Sequence, residues 1–216
     1  MEPRYRLVIF DFDGTLADSF PWFLRVFNEV ADRFRFRRIE EGEVETLRGY
    51  SGREMMRHLR VPFWKLPWIA RHMRRLKTRD LHTISLFPGV DALLERLADS
   101  GVELAIVSSN ADVNVRGVLG PGNAARVRYW ECGASIFGKR ASFRRVLRRS
   151  GVAPAEALCV GDEIRDLEAA RGAGIPFGAV TWGYTTEEAL RARSPEAVFR
   201  SLDDVVDTVT GAAARR

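Results

Sequence analysis

Short apolar runs that recur between longer stretches of helical periodicity are the feature that most restricts this chain. Five candidate strands stand out, at 6–10, 103–107, 126–131, 157–160 and 177–181. They are apolar almost without interruption instead of alternating, which is the pattern of strands buried on both faces. Other apolar residues fall at helical spacing: Val90, Leu93, Leu94 and Leu97, then Phe143, Val146 and Leu147, then Ile164, Leu167 and Ala170. Gly101, Gly151 and Gly172, each able to take the left-handed cap conformation, stand near the ends of these three stretches. Such alternation specifies an α/β fold, a Rossmann-like parallel sheet with helices on both faces.

Residues 20–86 break the rhythm. No convincing strand occurs there, and Phe20, Phe23, Val26, Phe27, Val30 and Phe34 form a helical stripe. Asp18 or Ser19 is placed to cap that helix, with Pro21 in its first turn, where a missing N–H is harmless. Pro62 and Pro67 interrupt a later stretch rich in Trp and Arg, and Phe87-Pro88-Gly89 turns the chain back to the alternating pattern. The expected organisation is therefore a core made of 1–19 and 87–216, with an all-helical cap domain, 20–86, inserted after the first strand. Trp22, Phe23, Phe63, Trp64 and Trp68 are expected inside the cap or at its seam with the core.

Composition narrows the setting. No apolar run approaches the roughly 18–20 residues of a membrane helix, and the N-terminus lacks the pattern of a secretory signal. A cytoplasmic protein without membrane contacts is expected. Cys132 and Cys159 have no CxxC or His-rich company, so both are read as buried free thiols. The net charge is +5, but 31 of the 34 basic residues are arginine, and Arg144-Arg145 and Arg148-Arg149 fall on a helical pattern facing solvent. Nucleic acid is not the expected partner. A monomer or homodimer is equally compatible with the sequence.

In a parallel sheet, functional side chains gather outside the carboxyl ends of the strands. Here those ends carry Asp11-Phe12-Asp13-Gly14-Thr15, Ser108-Ser109-Asn110 and Gly161-Asp162-Glu163-Ile164-Arg165-Asp166, while Lys139 opens a helix between two strands. Converging carboxylates repel one another, and a divalent cation removes the difficulty. Oxygen ligands without His or Cys indicate Mg²⁺, which takes one or two carboxylates, water and substrate phosphate. If a helix begins near Asp162, then Asp162 and Asp166 share a face. Asp11 would attack phosphorus, and Asp13 would protonate the leaving oxygen and then activate water. Ser108 and Lys139 would stabilise the transferring phosphoryl oxygens. Gly14 would admit the phosphate close to backbone, and Thr15, Ser109 and Asn110 are further candidates around it, Asn110 also being able to cap the next helix. In the cap, Arg48 and Arg53 could hold an acidic substrate group, and a solvated turn is the competing reading.

VIFDFDGTLADS, Ser108 after an apolar run, Lys139 and GDEIRD resemble, in order and spacing, the four motifs of the haloacid dehalogenase superfamily. The likeness is to its cap-bearing phosphatases, such as phosphoglycolate phosphatases. It implies Asp11 as nucleophile, Asp13 as acid/base and as metal ligand through its backbone carbonyl, and Asp162 as a side-chain metal ligand, with Asp166 as ligand or neighbour. It also implies a phosphatase instead of a dehalogenase, since the dehalogenases lack the second aspartate. The expected reaction is Mg²⁺-dependent hydrolysis of a small phosphorylated metabolite. A sugar phosphomutase with the same chemistry, and a nucleic-acid or partner-binding protein with an idle core, are the alternatives.

Overall fold

The computed structural model describes residues 3–133 and 138–212. In chain order its elements are β1 (Leu7–Phe10), β2 (Ala17–Asp18), α1 (Phe20–Phe34), α2 (Val44–Arg48), α3 (Gly52–His58), α4 (Leu66–Arg79), β3 (Ser85–Leu86), α5 (Val90–Asp99), β4 (Glu103–Val107), α6 (Asp112–Arg126), β5 (Tyr129–Glu131), α7 (Lys139–Ser150), β6 (Ala157–Gly161), α8 (Ile164–Arg171), β7 (Phe177–Val180), α9 (Glu187–Arg191), β8 (Ala197–Phe199) and α10 (Leu202–Thr210). Six strands form one parallel sheet in the order β5-β4-β1-β6-β7-β8. β1 sits at its centre, with both faces covered. Val8 and Phe10 join one apolar layer with Leu94, Leu97, Val115 and Val209. Leu7 and Ile9 join the opposite layer with Phe143, Val146 and Leu167.

Two differences from the sequence expectation have local causes. The strand expected over 126–131 begins only at Tyr129, because α6 resumes after a break at Gly120 (φ 73°) and Pro121 and runs on to Arg126. β8 was not expected, since its apolar run is only three residues long and of these only Phe199 is fully buried.

The helices α1 to α4 leave the core between β2 and β3. Those two short strands pair antiparallel, Ala17 opposite Leu86 and Asp18 opposite Ser85, so the chain enters and leaves the insertion side by side. α1 buries Trp22, Val26, Phe27, Val30 and Ala31 along one face. Ser19 occupies its N-cap position without capping it, and its hydroxyl meets Tyr184 Oη at 3.1 Å instead. α3 has a reciprocal cap: Glu54 N–H donates to Ser51 Oγ and Ser51 N–H to Glu54 Oε2.

The expected interior place for the aromatics holds for Trp22 and partly for Phe23 but not for the others. Phe63, Trp64 and Trp68 are 76%, 61% and 61% exposed. Pro62 and Pro67 start a 3-10 turn and then α4, and the three rings ride on the outside of that corner. Both cysteines are free, Cys159 buried and Cys132 half-buried. Among the described residues no helix is long and apolar enough to cross a membrane.

Candidate active site

The carboxyl end of β1 is built by a tight turn. Asp11 N–H continues the sheet by donating to Val160 O, Phe12 is fully buried, and Phe12 O accepts from the N–H groups of Thr15, Leu16 and Ala17. Gly14 closes the turn at φ +78°, and a Cβ there would lie 2.3 Å from Asp162 Oδ2 and 2.4 Å from Tyr184 Cδ2. Close approach and a left-handed backbone both require glycine. Gly14→Ala is therefore expected to lose about 2–3 kcal/mol of stability, read as a lower urea midpoint in metal-free buffer.

Asp11 is 4% exposed and Asp166 is fully buried, and the Lys139 ammonium lies between them. Lys139 Nζ is 2.8 Å from Asp11 Oδ1 and 2.8 Å from each Asp166 oxygen. Asp11 Oδ2 remains buried without a hydrogen-bond partner, and Asp166 Oδ1 is buried with only the Lys139 ammonium beside it. Glu163 approaches the same place, so that Asp11, Glu163 and Asp166 each offer an oxygen within 4.8 Å of the others. Burial raises the Asp11 carboxyl to about 7, opposed by the Lys139 charge and reinforced by Asp166. Burial also works against the Lys139 ammonium, but Asp11 and Asp166 outweigh it and raise its pKa. A buried oxygen without a donor and a crowd of hard ligands are the electrostatic demand that a divalent cation meets.

Asp162 sits differently from expectation. α8 begins at Ile164, two residues too late for Asp162 and Asp166 to share a helical face. Asp162 Oδ1 accepts from Thr15 Oγ1 at 2.7 Å and Oδ2 from Tyr184 N–H at 2.8 Å. Its pKa is raised by burial and by the Glu163 and Asp11 charges, against the pull of those two donors. Each oxygen keeps a second lone pair, so these bonds orient the carboxylate without exhausting it.

The other expected residues divide between the two sides. Ser108 is buried, its Oγ accepting from Asn110 N–H at 3.1 Å, and Ser109 is half-buried. Asn110 does not occupy the N-cap of α6, a position held by Ala111; its Oδ1 accepts from Ala111 N–H and Asn114, and its Nδ2 donates to Asp13 Oδ2 at 3.4 Å. Arg48 reaches across from α2 to the carbonyls of Gly183 and Tyr184, at 3.0 and 3.2 Å, and also pairs with Glu45. Arg53 lines the cavity between the helical insertion and the sheet.

Four residues at this site were not singled out by the sequence. Lys77 of α4 donates to Asp13 Oδ1 at 2.7 Å, Glu163 joins the carboxylate cluster, Arg165 pairs with Glu163 at 2.5 Å, and Tyr184 supplies the N–H that holds Asp162. All four line a cavity of about 1070 Å³. Its catalytic end also presents Asp13, Ser109 and Asn110, and its far wall is apolar, with Phe23, Phe27, Ile69 and Met73.

Known proteins resemble this chain over most of its length. The family described as haloacid dehalogenase-like hydrolase matches residues 8–180. A phosphoglycolate phosphatase of Synechococcus elongatus is 34% identical over 204 residues, covering 94% of this chain and 96% of the relative. Phosphoglycolate phosphatase 1 of Pseudomonas aeruginosa is 26% identical over 220 residues, covering 96% and 81%. Among solved structures, a haloacid dehalogenase-like family hydrolase of Streptococcus pneumoniae superposes with a TM-score of 0.77 at 20% identity, over 94% of this chain and 97% of that one. A strand-end aspartate pair, a buried lysine and a second acidic cluster, carried on one parallel sheet and matched over most of the length, place this chain among the haloacid dehalogenase-like hydrolases.

Proposed function

We propose that this chain is a phosphatase that hydrolyses a small phosphate monoester, of the phosphoglycolate kind, through a phosphorylated Asp11. One observation carries the reading. Asp11 has one oxygen anchored on Lys139 and the other buried with no hydrogen-bond partner, in a cluster with Glu163, which lines the cavity. A nucleophile needs that division, with one oxygen held and the other facing phosphorus.

In the first step Asp11 Oδ2 forms a bond to phosphorus as the P–O bond to the leaving group breaks, and Asp13 gives that oxygen its proton. In the second, water forms a bond to phosphorus, Asp13 takes the water proton, and the Asp11–phosphorus bond breaks, releasing inorganic phosphate. Lys139 and Ser108 hold the transferring oxygens, and Thr15 keeps Asp162 in place. Gly14, Ser109 and Asn110 complete the surroundings of the phosphoryl group. Asp11, Glu163 and Asp166, with the oriented Asp162 and the backbone carbonyl of Asp13, would hold Mg²⁺. When bound, that ion neutralises phosphoryl charge. Arg48, fastened to Gly183 and Tyr184, keeps the helical insertion, residues 20–86, closed over the sheet, with Arg53 beside it.

Phosphoglycolate phosphatase is the name carried by both of these relatives, and this supports 2-phosphoglycolate as the first substrate to test. With Mg²⁺ the protein is expected to release inorganic phosphate from 2-phosphoglycolate, to fall to background in EDTA, and to recover when Mg²⁺ is restored. Rearranged ester without free phosphate would indicate a phosphomutase, and activity undiminished in EDTA would refute the metal assignment.

A further inference from the structure

We propose that Lys77 is the residue that recognises a second anionic group, a carboxylate, on the leaving side of the substrate. This rests on the phosphatase reading of the site and goes beyond it by naming the contact that selects the substrate.

The ammonium of Lys77 is nearly buried, its side chain 11% exposed, although it comes from α4 of the helical insertion. Three features fix it. Its Nζ lies 4.7 Å from the centre of the Trp22 ring, and that ring is held by Trp22 Nε1 donating to Asp80 Oδ2 at 3.1 Å. Its single hydrogen bond among the described residues goes to Asp13 Oδ1. An ammonium has three donors, so two remain, and Lys77 borders the cavity they can reach.

The position identifies the ligand. Asp13 is the residue assigned to the leaving oxygen, and a cation 2.7 Å from its carboxylate lies within a few bonds of that oxygen. An anion there, in a cavity whose far wall is apolar, needs a paired cation. Of the cations bordering the cavity, Lys77 makes the ion pair with Asp13, whereas Arg165 pairs with Glu163 and Arg48 with Glu45 and two backbone carbonyls. A compact point charge with spare donors suits a small carboxylate, whereas the phosphoryl group is met by Lys139 on the other side of the site.

Binding is measured by calorimetry on Asp11→Asn protein with Mg²⁺, so that turnover plays no part. The two probes are 2-phosphoglycolate and 2-hydroxyethyl phosphate, which carries a hydroxymethyl group in place of the carboxylate. The Asp11→Asn protein should prefer 2-phosphoglycolate by about 10–100-fold, the range of a charge-assisted hydrogen bond. Adding Lys77→Met, which keeps the apolar stem against Trp22, should abolish most of that preference by weakening 2-phosphoglycolate alone. Lys77→Arg should retain part of it. Equal affinity for the two esters in Asp11→Asn, equal weakening of both in the double variant, or a preference that survives Lys77→Met would overturn the assignment. Failure of the wild type to hydrolyse either ester would instead overturn the phosphatase reading and leave this binding result standing.

Discussion

Asp11→Asn lowers turnover by at least about 10⁴-fold, the scale on which removing a covalent nucleophile acts, while the metal-free protein becomes no less stable at neutral pH. The two halves of this result come from the same atoms. Asn keeps the size of Asp11 and its place at the end of β1, so Phe12 and the turn through Gly14 remain packed. It cannot displace an alkoxide from phosphorus as a carboxylate does. Stability responds in the opposite direction, because the Asp11 carboxyl is raised by burial to about 7 in the fold against 3.8 for the free group. Between those values the folded state holds a proton that the unfolded chain has released, so wild-type stability falls as pH rises from about 4 to about 7 and then levels. The variant lacks this fall. Melting temperatures in EDTA should therefore separate as pH rises through that window, with Asp11→Asn at or above the wild type at pH 8. A variant that melts well below wild type there, or that still turns over at more than about one part in a thousand, would remove Asp11 from its role.

The sheet and the acidic cluster were legible in the sequence for related reasons. Strands buried on both faces must be continuously apolar, so a polar residue directly after one, such as Asp11, Ser108 or Asp162, is conspicuous. Lys139 stood out because arginine fills nearly every other basic position. The same scarcity applies to Lys77 and Lys65, and both make particular contacts, Lys77 with Asp13 and Lys65 with the carbonyl of Phe34. Lysine in this chain marks a place where a compact ammonium is needed, a signal that was present at Lys77 and not followed.

What could not be read lies where long-range packing decides. Whether Asp162 turns to its own helix or to Thr15 depends on Tyr184, from the loop after β7, whose N–H reaches it over 22 residues of sequence. Glu163 reads as an ordinary loop acid until α8 begins at Ile164 and brings it beside Asp11. Phe63, Trp64 and Trp68 have the composition of a core, but two prolines turn them outward. Periodicity gives the existence of an element, whereas the partner of a side chain at its end is set by the rest of the fold.

Lys139→Met should be the most damaging single change to the metal-free protein, and its behaviour separates a structural lysine from one that also serves the reaction. The ammonium is 3% exposed and stands against both Asp11 and Asp166. Removing one partner of a buried ionic cluster leaves the others uncompensated, a loss of about 3–5 kcal/mol, and here two carboxylates are orphaned together. Arg165 is near but already paired with Glu163. A divalent cation placed among Asp11, Glu163 and Asp166 supplies part of the missing positive charge, so Mg²⁺ should raise the melting temperature of Lys139→Met by more than it raises that of the wild type. Combining Lys139→Met with Asp11→Asn removes one of the orphaned charges, and the double variant should be more stable than Lys139→Met alone, a coupling that distant sites do not show. Turnover does not follow stability back. Even at a Mg²⁺ concentration that restores folding, Lys139→Met should remain at least about 10³-fold slower, because in the proposed mechanism the lysine also faces the transferring phosphoryl oxygens, where removing one positioned donor has effects of that size. A Lys139→Met protein that melts with the wild type in EDTA, or that regains wild-type turnover once Mg²⁺ has restored its fold, would separate Lys139 from the site.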